Sequence, residues 1–94
     1  MKTYIRNQKE KTLKVISRLD YRGIDPEIFR GSSRVAGGVD VPMGRFIGYE
    51  KNFKTKIVTY IFEFDKNTEY SFEQWIKDIV AMVKEVDPFY YEEL

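Results

Sequence analysis

The most constraining feature of the sequence is an apolar stripe between Ser71 and the proline at position 88. Its large apolar residues recur at spacings of three and four, which is the period of an amphipathic helix with one buried face. Ser71 and Gln74 have the spacing of a capping box, and Asp87 precedes a proline, which pushes it out of the helical region. A helix of this kind needs an apolar surface to pack against. The stripe consists of Phe72, Trp75, Ile76, Ile79, Val80, Val83 and Val86.

A β-hairpin is predicted to supply that surface. Residues 45–50 and 55–65 are rich in β-branched and aromatic side chains and flank a four-residue loop. Alternate residues of the second strand form an aromatic face, which we expect to be the core. A hairpin alone is only marginally stable, so residues 2–6, residues 39–43 or a second chain should add a strand. The aromatic face comprises Val58, Tyr60, Phe62 and Phe64.

The N-terminal segment has the pattern of a second amphipathic helix. Asn7 and Glu10 have the spacing of a capping box, and apolar residues then recur every three positions. These signals predict a helix over residues 8–22 that ends at Gly23. A strand is the alternative, because the same segment also alternates. The helical spacing comes from Leu13, Ile16 and Leu19, and the alternation from Leu13, Val15, Leu19 and Tyr21.

A short helix and a glycine-rich loop follow. Asp25, Pro26 and Glu27 are typical of a helix start, and one or two turns are predicted through Arg30. The loop at residues 31–44 contains four glycines. Arginine binds phosphate with a bidentate guanidinium, and glycine-rich backbone can offer free amides to an oxyanion. The loop therefore indicates either an anion or nucleotide site at Arg30, Arg34 and Arg45, or a turn-forming connection with solvated arginines.

These elements predict an α+β fold in a small single domain. An antiparallel β-hairpin, with room for extension to three or more strands, would pack against an N-terminal and a C-terminal amphipathic helix. The domain would span residues 1–94, including the loop at 31–44. A terminal segment at 88–94 would either pack on the domain or be mobile.

The sequence contains no cysteine and no histidine. These absences exclude disulfides, thiolate nucleophiles, zinc ribbons and the nucleophile pairs that use an imidazole. Catalysis would need carboxylates, lysine or tyrosine with shifted pKa values, and no recognisable catalytic motif contains them. We therefore expect a binding protein rather than an enzyme, with no catalytic residues, no metal site and no cofactor.

The two parts of the chain carry opposite charge. Residues 1–60 contain 13 Lys and Arg against 6 Asp and Glu, whereas residues 61–94 contain 3 against 9. The fields of the two parts would cancel in the folded protein, or they would create one face for an anionic partner and another for a cationic one. The basic residues could follow a phosphate backbone only if they share a surface. The candidates are Lys11, Lys14, Arg18, Lys51 and Lys54, in addition to the three arginines.

The last residues form an aromatic and acidic cluster. Tyrosine is favoured in interfaces, because it buries a large area at low entropic cost. The cluster is therefore a candidate protein interface, and packing against its own domain is the alternative. It comprises Phe89, Tyr90, Tyr91, Glu92 and Glu93.

Three functions are compatible with these patterns. The leading hypothesis is a small protein that inhibits, neutralises or regulates a protein partner, as phage inhibitors and immunity proteins of this size do, which is an inference from size alone. The alternatives are a nucleic-acid-binding module with a basic surface and a small anion- or nucleotide-binding protein. No apolar run reaches the ~20 residues of a membrane span or the pattern of a signal peptide, so we expect a cytoplasmic protein without a membrane partner. A homodimer formed by strand addition is a further alternative.

Overall fold

A computed structural model of the chain describes residues 4–19 and 24–87, which form a four-stranded antiparallel sheet with one α-helix on one of its faces. The sheet order is β1-β2-β4-β3, so β2 and β4 are central. The elements are β1 (Tyr4–Asn7), β2 (Thr12–Arg18), a 3-10 helix (Pro26–Arg30), β3 (Gly44–Asn52), β4 (Ile57–Phe64) and α1 (Phe72–Val86).

The predicted N-terminal helix is wrong, and with it the packing of a sheet against two helices. The segment forms β1, a turn and β2. The side chain of Asn7 does accept a hydrogen bond from the backbone N–H of Glu10, at 2.9 Å, but this bond stabilises the turn between the strands. Asparagine makes the same local bond in turns and at helix starts, so the capping pattern did not distinguish them. The predicted end at Gly23 lies outside the described residues.

Burial in the central strands explains why the segment is extended. Leu13, Val15 and Ser17 alternate along β2 and are all fully buried. Leu13 pairs with Phe62 and Val15 with Tyr60 across the antiparallel ladder. The segment thus buries its apolar residues with the period of two that a strand requires.

The predicted hairpin is confirmed as β3 and β4, with a β-bulge between Phe46 and Gly48. The aromatic face of β4 is the core, with Val58, Tyr60, Phe62 and Phe64 between 0% and 6% exposed. The predicted short helix is also present, with 3-10 geometry. Asp25 accepts a hydrogen bond from the N–H of Glu27 at 3.0 Å, and Phe29 packs its ring against the rings of the core face.

The C-terminal helix is confirmed as α1. Ser71 Oγ accepts a hydrogen bond from the N–H of Gln74 at 3.2 Å, which is half of the predicted capping box. Trp75 is fully buried and donates its indole N–H to the carbonyl oxygen of Pro42 at 2.7 Å. Residues 39–43 are therefore held by the helix and form no strand, and β1 supplies the additional strand instead. Gly44 begins β3 where a Cβ would lie 2.3 Å from the carbonyl oxygen of Glu63, so a larger residue would not fit.

The face of the sheet that points away from α1 is not covered by any described helix or strand. We call it the open face. Its apolar side chains are isoleucines, of which Ile5 is 55% exposed and the others are half-buried. The pairing register places on it Ile5, Asn7, Thr12, Lys14, Ile16, Arg18, Arg45, Gly48, Glu50, Asn52, Ile57, Thr59, Ile61 and Glu63.

Candidate functional site

Basic residues from two distant parts of the chain meet where β2 ends and β4 begins. Arg18 pairs with Ile57, and the N–H of Leu19 donates to the carbonyl oxygen of Lys56 at 2.9 Å. Lys51 lies on the neighbouring β3, opposite Val58. Together with Phe53, the residues Arg18, Lys51 and Lys56 line a cleft of about 410 Å³, with Arg18 at the end of β2 where the cleft borders the open face. We call this the basic cleft.

The loop between β3 and β4 holds an aromatic ring beside this cleft. The side chain of Asn52 accepts hydrogen bonds from the backbone N–H groups of Lys54 and Thr55, at 3.0 and 3.1 Å. These bonds order the turn and leave Phe53 at its tip, 69% exposed. Phe53 is more exposed than any other large hydrophobic residue in the described part of the chain. An ordered turn presents the ring without the entropic cost of fixing a mobile loop on binding.

The cations of the basic cleft are available to a ligand. The side chains of Arg18 and Lys56 make no hydrogen bond or ion pair with any described residue, and Lys51 makes only a cation–π contact, 5.5 Å from the Tyr49 ring. Lys54 adds a further positive charge at the loop tip. An incoming anion would therefore not have to displace a carboxylate from these cations, although Asp25 and Asp87 also line the cleft and lower its net positive charge.

The floor of the basic cleft is a buried polar network. Asp87, which is 2% exposed, accepts hydrogen bonds from Ser17 Oγ at 2.6 Å and from the Tyr60 hydroxyl at 2.7 Å. Its backbone N–H donates to the carbonyl oxygen of Val83 and closes the last turn of α1. The network joins the end of α1 to β2 and β4, so its first role is structural.

The tyrosine in the floor of the basic cleft is held in its protonated form. Burial, followed by the hydrogen bond to Asp87, raises the pKa of Tyr60 far above its usual range. The Tyr60 hydroxyl therefore stays protonated at neutral pH and donates to Asp87. Within residues 4–19 and 24–87, no group of three or more acidic residues could hold a metal ion, and no helix is long and apolar enough to cross a membrane.

The three arginines in and beside the glycine-rich loop also come together, in a separate cleft of about 330 Å³. Arg30, Arg34 and Arg45 line it, but Asp40 lines it as well. Hydrogen bonds from the Ser32 N–H and Oγ, at 2.9 and 2.8 Å, hold the pKa of Asp40 below its usual range, so its carboxylate is charged at neutral pH. We call this the arginine cleft.

Carboxylates offset most of the positive charge of the arginine cleft. Arg30 pairs with Glu27 at 2.7 Å and also donates to the carbonyl oxygen of Phe46, while Arg45 pairs with Glu63 at 3.0 Å. The loop amides are also used internally. The N–H groups of residues 34 and 35 both donate to the Gly31 carbonyl oxygen, and the N–H of Gly38 donates to that of Val35. The arginine cleft is therefore less suited to a simple anion than the sequence suggested.

The remaining predicted basic residues do not join either cleft. Lys14 lies on the open face, between Ile5 and Ile61 in the pairing register. Lys11 is at the opposite end of β2 from the basic cleft, with its ammonium 4.7 Å from the centre of the Phe72 ring. The predicted protein interface at residues 89–93 lies outside the described residues.

Sequence reasoning missed Phe53 and the network around Asp87. Phe53 was counted as part of a loop, although an aromatic residue between two cations, at Lys51 and Lys54, was a usable signal. Asp87 was interpreted only as the residue that ends the helix. No sequence pattern indicated that Ser17 and Tyr60 would converge on it, since the three residues are far apart in the chain.

Comparison with known proteins found no matching family model, no similar curated protein and no similar solved structure. Function must therefore be inferred from the described residues.

Proposed function

We propose that this is a non-enzymatic protein that binds single-stranded nucleic acid at the basic cleft. The observation that carries the proposal is that Arg18, Lys51 and Lys56 surround one cleft with an exposed aromatic ring, Phe53, at its rim. Cations attract the phosphate backbone, and an exposed ring offers a surface on which an unpaired base can stack.

Single strands are favoured over duplexes by the elements at this end of the molecule. Reading a major groove requires a helix or a β-ribbon that enters it. The apolar side of α1 is packed on the sheet, and the 3-10 helix has only five residues, with Phe29 in the core. The hairpin of β3 and β4 is a ribbon with lysines near its turn, so the preference for single strands rests on Phe53. Bases in a duplex are stacked on one another and cannot reach Phe53, whereas bases in a single strand can.

The test is fluorescence anisotropy with labelled single-stranded and duplex oligonucleotides over a range of salt concentrations. We expect the single strand to bind more tightly. Log affinity falls linearly with log salt concentration, and each single-strand phosphate contact contributes about 0.7 to the steepness of that line. In the double variant Lys51→Gln and Lys56→Gln, the line should therefore be less steep by about 1.4. Phe53→Ala should weaken binding about tenfold with little change in that slope, because stacking releases few counterions.

Lys77→Gln is the matched control, because Lys77 is an exposed lysine on α1 that does not line the basic cleft. It should bind like the unmodified protein. An equal loss of affinity in Lys77→Gln would mean that any positive charge suffices and would contradict a site at the basic cleft. Absence of binding at low salt would refute the proposed function.

A protein partner stays a prediction, since its candidate interface at residues 89–93 is outside the described part of the chain. Affinity capture from a cell extract, with and without nuclease, separates the two functions. A stoichiometric protein that survives nuclease and high salt would favour the protein partner.

A further inference from the structure

The open face has the composition of an interface that is covered in an assembly. Ile5 and Ile61 flank Lys14, and Ile57 is opposite Arg18. Ile5 is 55% exposed, and Ile16, Ile57 and Ile61 are only half-buried, although the other face of β2 and β4 is fully packed. Exposed apolar side chains that share one face of a sheet mark a protein interaction site, and here charged side chains lie among them.

Charge divides the open face into two halves. On the β2 side, Lys14 and Arg18 are positive and make no hydrogen bond or ion pair with any described residue. On the other side, Glu50 of β3 is exposed, and Glu63 of β4 is paired with Arg45. Glu50 likewise has no ion-pair partner among the described residues. The face is therefore complementary to a rotated copy of itself.

Symmetry determines which halves meet when two copies pack face to face. A two-fold axis that runs across the strands would place β2 against β2 and bring Lys14 close to the partner's Arg18. An axis that runs along the strands instead places β2 against the partner's β4. Lys14 then lies over the partner's Ile61. The partner's Glu63 is two residues further along β4, and the partner's Glu50 is on the neighbouring strand β3. Of the two, the second arrangement keeps the cations of β2 apart and brings Lys14 near acidic residues of the partner.

We propose that the open face binds a second copy of this chain, with the two-fold axis parallel to the strands. Four strands at about 4.8 Å and seven residues at about 3.3 Å give a face of roughly 19 by 23 Å. This is roughly 440 Å² per copy, below the about 800 Å² per partner of a standard stable interface, so the dimer should be weak and should form only at high protein concentration. The surface differs from the sheet edges at which strand addition was considered.

The same symmetry has a consequence for the basic cleft. An axis parallel to the strands keeps both copies in the same direction, so the two basic clefts lie at one end of the dimer. The dimer itself does not depend on the proposed function and can be measured without nucleic acid. If both proposals hold, one longer strand should contact two clefts and bind more tightly than a short strand.

Sedimentation velocity from about 1 μM to 1 mM tests the dimer directly. Lys14→Glu and Glu50→Lys should each weaken dimerisation about tenfold or more, because each creates a like-charge contact twice in the symmetric interface. The double variant Lys14→Glu with Glu50→Lys exchanges the charges and should recover most of the affinity. Both residues are exposed, so circular dichroism should show an unchanged fold.

Lys77→Gln is again the control, since Lys77 lies on α1 and away from the open face. A protein that stays monomeric over the whole range would overturn the proposal and assign the open face to a different partner. A dimer that is insensitive to both single charge reversals would overturn it as well, because the copies would then associate through another surface. A double variant weaker than either single variant would rule out the proposed symmetry.

Discussion

The two faces of β4 differ in what covers them, although both carry large apolar side chains. Residues 58, 60, 62 and 64 face α1 and are almost fully buried, whereas residues 57, 59, 61 and 63 are half-buried. The covered face is aromatic, and the open face is built from isoleucine and threonine beside charged residues. A helix gains more by covering aromatic side chains, because these bury the larger area. β-Branched residues still favour the strand, so the open face keeps its shape without a second layer.

The largest expected effect compares neighbouring residues on the two faces. Phe62→Ala should lower the free energy of unfolding by about 3–5 kcal/mol, because Phe62 is fully buried and its removal leaves a cavity. Ile61→Ala should cost only about 1 kcal/mol, because Ile61 is half-buried on the open face. Urea unfolding at a concentration that keeps the protein monomeric measures both. Equal losses would mean that the open face is as well packed as the core.

A smaller effect is expected where the covered face ends in the polar network. Asp87→Ala should cost about 3 kcal/mol, because it removes the buried carboxylate that accepts hydrogen bonds from Ser17 and Tyr60. Glu85→Ala, at an exposed position of the same helix, is the control and should change stability by less than about 0.5 kcal/mol. If Asp87→Ala were as mild as this control, the network would not anchor the helix.

The smallest effect at neutral pH is expected for Tyr60→Phe, at about 1 kcal/mol for the lost hydrogen bond to Asp87. This variant is distinguished from the others by how its free energy of unfolding depends on pH in the alkaline range. The pKa of Tyr60 is raised in the folded protein, so above about pH 10 only the unfolded chain ionises at this residue and stability falls as pH rises.

Tyr60→Phe should remove this part of the alkaline loss, as measured by urea unfolding between about pH 8 and pH 11. Tyr70 is retained in both proteins, so the increase in its pKa caused by Asp78 cancels in the comparison. An unchanged pH profile would show that Tyr60 ionises equally in both states.

The elements predicted correctly from sequence are those defined by local signals that agree with one another. For α1, the Ser71 cap, the apolar stripe and the residue before proline all indicated the same helix. In the hairpin, the alternation along β4 identified the core face. The segment that forms β2 had conflicting signals, because Asn7 favours both a turn and a helix start. Pairing with β4 decided the outcome, and that long-range contact cannot be read from the segment itself.

The candidate site also combines features that the local sequence indicated with features that depend on long-range pairing. The charged residues were recognisable, but their meeting at the basic cleft depends on β2 pairing with β4, as the bond from Leu19 to Lys56 shows. The grouping of the three arginines was anticipated by the loop sequence. The carboxylates that offset them were not, because only the fold brings Asp40 into the arginine cleft and pairs Glu63 with Arg45.

The bulge between Phe46 and Gly48 bears on the behaviour of the protein at high concentration. Strands at the edge of a sheet carry unpaired backbone groups and can recruit further chains into fibrils. Here one edge strand, β1, has only four residues, and the other, β3, is interrupted by the bulge and carries charge at Glu50 and Lys51. Neither edge is a long, flat template for growth. Concentrated samples should therefore remain free of amyloid.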